Sequence, residues 1–336
     1  MLLEINHNSS ALTPAPQGDT APSPWSQRIK GFLFIAAAAF FWGGSAALGK
    51  AFFMGRLGVS GPGRVRLDPL ILSQARTTFS FLILAPVVYL ARRDRGPRMT
   101  RRDEMWCLLI GILGLAPSNY FYYLAIDRTS VATAIILQYT APAWVLVYTV
   151  FRGIQRATAI RLSAVALAVT GSAVAIGAIG LFPFPHLAGL KLDGIGIIAA
   201  QLAALSFAFY NIAGHTVLQR NNRWSVITRA FFGATVFWAV VNPPWRVIAM
   251  HYSSEQWAFL LVFAIFSVLI PFSFYFAGLQ FLDATRAIVT SCLEPIAAIL
   301  FAALVIGEPV KTVQVLGMAL VITATVLIQV QEKTRS

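Results

Sequence analysis

A glutamate and a proline stand side by side, Glu294-Pro295, inside an apolar run that extends from Ala284 to Ile306. A run of that length crosses a bilayer as a helix, which puts the carboxyl close to the bilayer centre. An ionised side chain at that depth costs at least a few kcal/mol, and the proline withdraws a backbone donor beside it. Two roles suit such a carboxyl: a protonatable group that couples transport to a proton, or a neutral acid hydrogen-bonded to a neighbouring helix. Arg76 and His215 also fall in apolar runs and are the other candidate cavity charges, whereas Lys50 reads as snorkelling toward an interface. Aromatic, amide and hydroxyl groups complete the inventory: Trp42, Tyr120, Tyr123, Gln138, Tyr139, Phe207, Tyr210, Asn211, Tyr275 and Ser291. Tyr120 and Tyr123 share a helical face, as do Phe207, Tyr210 and Asn211. Aromatic walls with a few polar groups suit an amphipathic metabolite, and Gln138, Asn211 and Ser291 offer hydrogen bonds to a zwitterion.

Other chemistries lack their residues. Ser45 and His215 suggest a Ser–His dyad, but no acid is placed to orient the histidine. There is no Gly-x-Ser-x-Gly elbow, His-Glu-x-x-His pair or Gly-x-x-x-x-Gly-Lys-Ser/Thr loop. Ser45 reads instead as a small residue that permits close helix approach. Both cysteines, Cys107 and Cys292, lie in apolar runs, which argues against a disulfide or a metal cluster. No enzyme activity, metal or cofactor is expected.

The elements that must position these groups are set by composition. Of 336 residues 57% are hydrophobic and 12% charged, with a mean hydropathy of +0.71. A soluble domain is nearer one quarter charged, so the fold class is an all-α integral membrane protein. The net charge of +13 does not imply nucleic acid, because the basic residues sit in short gaps between apolar runs. Ten such runs are predicted as transmembrane helices, near 32–54, 70–91, 105–125, 129–150, 158–179, 193–216, 225–248, 255–278, 283–306 and 312–330. Residues 1–30 read as a disordered tail, polar and free of Lys and Arg before Arg28. They are not read as a signal peptide, since the first apolar run starts too late and is too long. Arg92, Arg93, Arg95, Arg98, Arg101 and Arg102 crowd one gap, Arg152, Arg156 and Arg161 another, and Arg220 and Arg223 a third. By the positive-inside rule both termini are then cytoplasmic.

The chain also repeats itself. Laying Arg76 over Arg229 brings Phe121 onto Phe274, Tyr122 onto Tyr275 and Pro142 onto Pro295. The two halves, 31–180 and 190–330, each hold five predicted helices, an odd number, so they must cross in opposite senses. That is the inverted-repeat plan of secondary transporters, with the substrate near the midplane. Pro142 and Pro295 then interrupt equivalent helices at equivalent depth, and read as bend points beside a cavity.

The stretch from Leu293 to Ile328, with Glu294-Pro295, Gly307-Glu308, Gln314 and Gly317, resembles a repeat end in the drug/metabolite transporter superfamily, EamA type. FFWGGSAALGK, ending at Lys50, resembles that family's first-helix motif, and Arg76 falls where its second helix commonly carries an arginine. The first half departs from the pattern, with Ala141-Pro142 for Glu-Pro and Gly153-Ile154 for Gly-Glu. The resemblance implies ten helices in two inverted repeats and export of small organic metabolites across a bacterial inner membrane. It is most similar to exporters of amino acids, aromatic ones among them. A passive channel for small amphipathic solutes is the alternative, and proton coupling and oligomeric state stay open.

Overall fold

Apolar side chains on nearly every face leave these segments no stable exit to water, and only a helix satisfies its own backbone in lipid. The computed structural model describes residues 24–53, 69–91, 99–128, 134, 137–175, 193–307 and 309–330. Among them there are helices and turns but no strand. The chain runs through α1 (Pro24–Phe53), α2 (Pro69–Leu90), α3 (Arg101–Leu109) and α4 (Ala116–Arg128). It continues through α5 (Ala141–Phe151), α6 (Ala159–Ala175), α7 (Gly194–Leu218), α8 (Arg223–Val241) and the short α9 (Pro244–Ile248). The last elements are α10 (Ser254–Ala264), α11 (Ile270–Leu279), α12 (Ala284–Ser291), α13 (Glu294–Phe301) and α14 (Thr312–Val330). Among the described residues, eight helical runs are long and apolar enough to cross a membrane, and α5 and α6 are shorter apolar helices. This is an integral membrane protein.

Three boundaries differ from expectation. Helix α1 begins at Pro24, inside the segment read as a disordered tail to residue 30. Proline is favoured in a first helical turn, and Arg28 and Lys30 can extend along the helix to polar surroundings. The run expected at 129–150 is helical without interruption only from Ala141, after a turn at Tyr139 and Thr140. The run expected at 225–248 ends at Val241, because Pro243-Pro244 cannot continue it. Residues 1–23, Arg64 and Glu308 lie outside the described residues, as do the side chains of Lys50 and Tyr123.

Two irregularities recur at matching places in the two halves. A π turn (Ile110–Leu115) joins α3 to α4, and another (Ile265–Leu269) joins α10 to α11, each just ahead of a proline, Pro117 and Pro271. Ala116 donates to the Gly111 carbonyl and Ile270 to the Ile265 carbonyl, the i→i+5 spacing of a π turn. The second pair is a full break. Thr140 N–H bonds the Leu137 carbonyl at 3.2 Å, and Leu293 N–H bonds the Thr290 carbonyl at 3.1 Å. Beyond the breaks, Trp144 closes onto Thr140 at 3.3 Å and Ala297 onto Leu293 at 3.1 Å.

The helices pack mainly as α6 on α14, α4 on α7, α2 on α8, and α1 against both α11 and α13. Trp238, Phe231, Tyr275 and Phe276 fill the largest core cluster. Polar groups close the ends. Gln74 and Asn242 form a buried amide clamp, with Nε2 on the Asn242 carbonyl at 2.8 Å and Asn242 Nδ2 on Gln74 Oε1 at 2.7 Å. Asp103 takes Asn221 Nδ2 at 3.1 Å and pairs with Arg220 at 3.2 Å, tying the start of α3 to the turn between α7 and α8.

Candidate functional site

The site is built where the two breaks meet. At the second break, side chains fold back onto the end of α12: Thr290 Oγ1 donates to the Arg286 carbonyl and Ser291 Oγ to the Ile288 carbonyl, both at 2.7 Å. Pro295 lies in the first turn of α13, where its missing N–H is tolerated. Glu294 therefore stands at the N-terminus of a half-helix, the end whose dipole favours a carboxylate.

Tyr139 occupies the turn at the first break. It is buried, and its hydroxyl lies close enough to the Glu294 carboxyl for the two groups to interact. One residue from each break thus closes the gap between the halves. Arg76 lies near enough for its charge to act on the same carboxyl. Helix α1 approaches from a third side. A Cβ on Gly43 would lie 2.5 Å from the Ala298 nitrogen and 2.7 Å from the Glu294 carbonyl oxygen, so this approach requires glycine.

Beside this pair stands an aromatic group drawn from α1, α7 and α11. The Trp42 ring lies 5.1 Å from Phe272 and 5.2 Å from Tyr275, and Tyr210 lies 5.0 Å from Phe207. Tyr210 also meets Phe272 and Tyr275, each at 6.0 Å. Asn211 is fully buried, receives the Tyr275 hydroxyl on its side-chain oxygen, and donates Nδ2 to the Phe207 carbonyl at 2.9 Å. The Ser291 hydroxyl stands near the Tyr275 hydroxyl, with its own proton on the Ile288 carbonyl. A polar path therefore runs from α7 through α11 to the second break, inside an aromatic wall.

Arg76 has a second task. Pro271 has no N–H to offer the Ser267 carbonyl, and Arg76 Nη2 takes that acceptor at 3.1 Å. The neighbouring Phe266 carbonyl is displaced in turn, since Ile270 N–H is committed to Ile265. Ser45 Oγ lies 3.3 Å from it and 2.7 Å from the Phe41 carbonyl. The π turn and proline between α10 and α11 are thus held from α1 and α2. The Arg76 guanidinium also lies 5.3 Å over the Phe263 ring. Its sequence counterpart does something else: Arg229 bonds the Ser225 carbonyl at 3.3 Å and pairs with Glu104 at 3.6 Å.

The structure brings together Trp42, Tyr139, Phe207, Tyr210, Asn211, Tyr275, Ser291 and Glu294, with Pro142 and Pro295 opening the adjacent half-helices. Gln138 is half-buried next to Tyr139. Tyr120 points elsewhere, 6.4 Å from the Phe237 ring and 6.3 Å from Trp238. His215 Nδ1 engages the Leu279 carbonyl at 3.0 Å, so neither it nor Ser45 forms the dyad that their types suggested. Sequence reasoning missed Gln201, whose Oε1 receives Trp144 Nε1 at 3.2 Å and faces Thr140 Oγ1 at 3.4 Å. A glutamine inside the apolar run of α7 was its only signal. Among the described residues, no group of three or more His, Cys, Asp or Glu is placed to hold a metal.

The family description "EamA-like transporter family" matches residues 29–177 and, separately, residues 194–330. Each stretch holds a π turn just ahead of a proline and a proline at a helix break, and together they span most of the chain. The chain belongs to the EamA-like transporter family. It is a multi-pass membrane transporter. An uncharacterized inner membrane transporter of Salmonella typhimurium, YicL, is 21% identical over 315 residues, covering 91% of this chain and 97% of that one. An uncharacterized transporter of Archaeoglobus fulgidus is 26% identical over 268 residues, covering 77% and 86%. A solved crystal structure shares the fold at a TM-score of 0.66 and 19% identity, covering 91% of this chain and 98% of its own. In this EamA-like transporter only the second unit carries the acid, because Ala141 stands in the first where Glu294 stands in the second.

Proposed function

We propose that this EamA-like transporter exports small organic metabolites, amino acids above all and aromatic ones among them, by alternating access. The observation that carries the reading is the Tyr139–Glu294 pair at the meeting of the two breaks, beside the rings of Trp42, Phe207, Tyr210 and Tyr275. A carboxyl within electrostatic reach of a guanidinium offers complementary charges to an ammonium and a carboxylate, and the rings offer a face for an apolar side chain. The rings touch one another in this structure, so a substrate reaches them as the halves separate.

In this reading the eight long helical runs, with α5 and α6, make ten crossings in two oppositely oriented five-helix halves, 31–180 and 190–330. The protein sits in the bacterial inner membrane with both termini in the cytoplasm. Short half-helices ending at mid-depth favour this plan, since such ends recur where transporters bind substrate.

The test is counterflow in proteoliposomes. Vesicles preloaded with one amino acid should take up its labelled form with a transient overshoot, strongest for aromatic and large apolar side chains, with and without a pH gradient. An overshoot marks a carrier, since a channel equilibrates without one. Flux without overshoot supports the passive channel, and no flux for any amino acid refutes the substrate class.

A further inference from the structure

A cavity of about 350 Å³ lies between α1, α2, α8 and α11, away from the Glu294 site. It falls at the lower end of ligand-sized pockets, about 300–1,000 Å³. Helix α11 separates the two places: Ile270, Ser273 and Ala277 line the cavity, whereas Phe272 and Tyr275 turn to the aromatic group. The walls are apolar, with Phe34 from α1 and Leu84 from α2 facing α11. The Ser273 hydroxyl is committed to the Leu269 carbonyl at 2.6 Å, so it offers a guest no free donor. Val87, on the rim, is 49% exposed, which opens the cavity to the outside of the bundle.

The mouth differs chemically from the interior. Among the described residues Arg223 is the one charged member of the lining, and its guanidinium lies 5.0 Å over the ring of Trp224, which also lines the cavity. Both belong to the first turn of α8, the end of the helix whose dipole favours an anion. A half-open apolar slot with a cation and an indole at one end complements an amphiphile with an anionic head. Arg and Trp at the end of a spanning helix lie at headgroup depth, so the guest comes from the lipid.

We propose that this cavity takes an acyl chain of an anionic phospholipid, with the phosphate on Arg223, from the leaflet that surrounds the start of α8. The site is separate from the transport reading, and its test involves no transported substrate.

The protein is reconstituted in phosphatidylcholine vesicles containing brominated-chain phosphatidylglycerol or brominated-chain phosphatidylcholine as a minor component. Bromine quenches indole on contact, and the signal from Trp224 is the difference between the wild type and Trp224→Phe. Trp224 quenching should favour phosphatidylglycerol by about fivefold in apparent affinity, the size one basic residue gives near an anionic lipid. Arg223→Gln should remove that preference. Ser273→Phe, from α11, and Ile83→Trp in a Trp224 difference series, from α2, fill the slot from opposite walls, so loss of one variant to misfolding leaves the other. Either should abolish the saturable part of the quenching. Equal quenching by the two headgroups in the wild type would overturn the proposal. Saturable quenching that persists in a folded slot-filling variant would also overturn it, as it would mark ordinary annular lipid.

Discussion

Arg76 on α2 donates through Nη2 to the Ser267 carbonyl at 3.1 Å, the acceptor that Pro271 leaves without a helical donor. An arginine in an apolar run thereby substitutes for a backbone N–H. Ser267 is fully buried, and an unsatisfied buried acceptor costs about 1–3 kcal/mol. Arg76→Met should therefore lower thermal stability in detergent. The cost should shrink by about 1 kcal/mol in a Pro271→Ala background, where the new alanine could supply the missing N–H. Equal losses in both backgrounds would show that Arg76 acts through its other contacts alone.

Glu294 and Tyr139 join the two breaks. Glu294→Gln keeps the shape and a carbonyl acceptor for Tyr139, so uptake should stay within about tenfold of the wild type, a change of ~1.4 kcal/mol. Glu294→Leu removes the acceptor and leaves the Arg76 charge without its neighbour, and should lose more than that. If Glu294→Gln abolishes gradient-driven accumulation but spares counterflow, the carboxyl carries the coupling proton.

Two glycines should fail for different reasons. Gly43→Ala places a Cβ 2.5 Å from the Ala298 nitrogen and should prevent α1 from docking on α13. Gly307 lies in open space but holds φ 73° at the end of a π turn (Ala302–Ile306), so Gly307→Ala should cost about 1–2 kcal/mol without loss of fold. Monodispersity and melting temperature separate the two outcomes, and a well-folded Gly43→Ala would refute the close approach.

The aromatic residues divide by position. Phe207→Ala should raise the KM for aromatic substrates while the protein stays folded, because the ring belongs to the site's wall. Tyr120→Ala should lower the melting temperature with KM unchanged, because Tyr120 packs on Phe237 and Trp238. The reverse pattern would move the site toward α4 and α8.

Orientation has a direct assay. A reporter active only in the cytoplasm should give signal when fused after Arg95 and none after Arg64. The opposite result would invert the proposed topology.

Membrane helices announce themselves because lipid forbids any other use of an apolar run, so the all-helical fold and the prolines that break it were legible in the sequence. Pro142 and Pro295 act locally, on the backbone donor that each lacks, and helix starts fall where they stand. Ends set by a less direct rule were less legible: α1 reaches back to Pro24 through residues that look like a tail.

Which side chains meet was decided by tertiary structure. A π turn adds one residue to a helix and rotates everything beyond it by about 100°. The turn at Ile110–Leu115 lies ahead of Tyr120, so spacing kept Tyr120 and Tyr123 on a common face without revealing where that face points. The same rule hid the task of Arg76. Its type marked it as unusual in an apolar run, yet its acceptor arises from a proline on another helix, far along the chain. Sequence spacing reports neighbours along one helix. The Tyr139–Glu294 pair depends on how close two half-helices come, and Gly43 matters only because α1 packs there against the second of them.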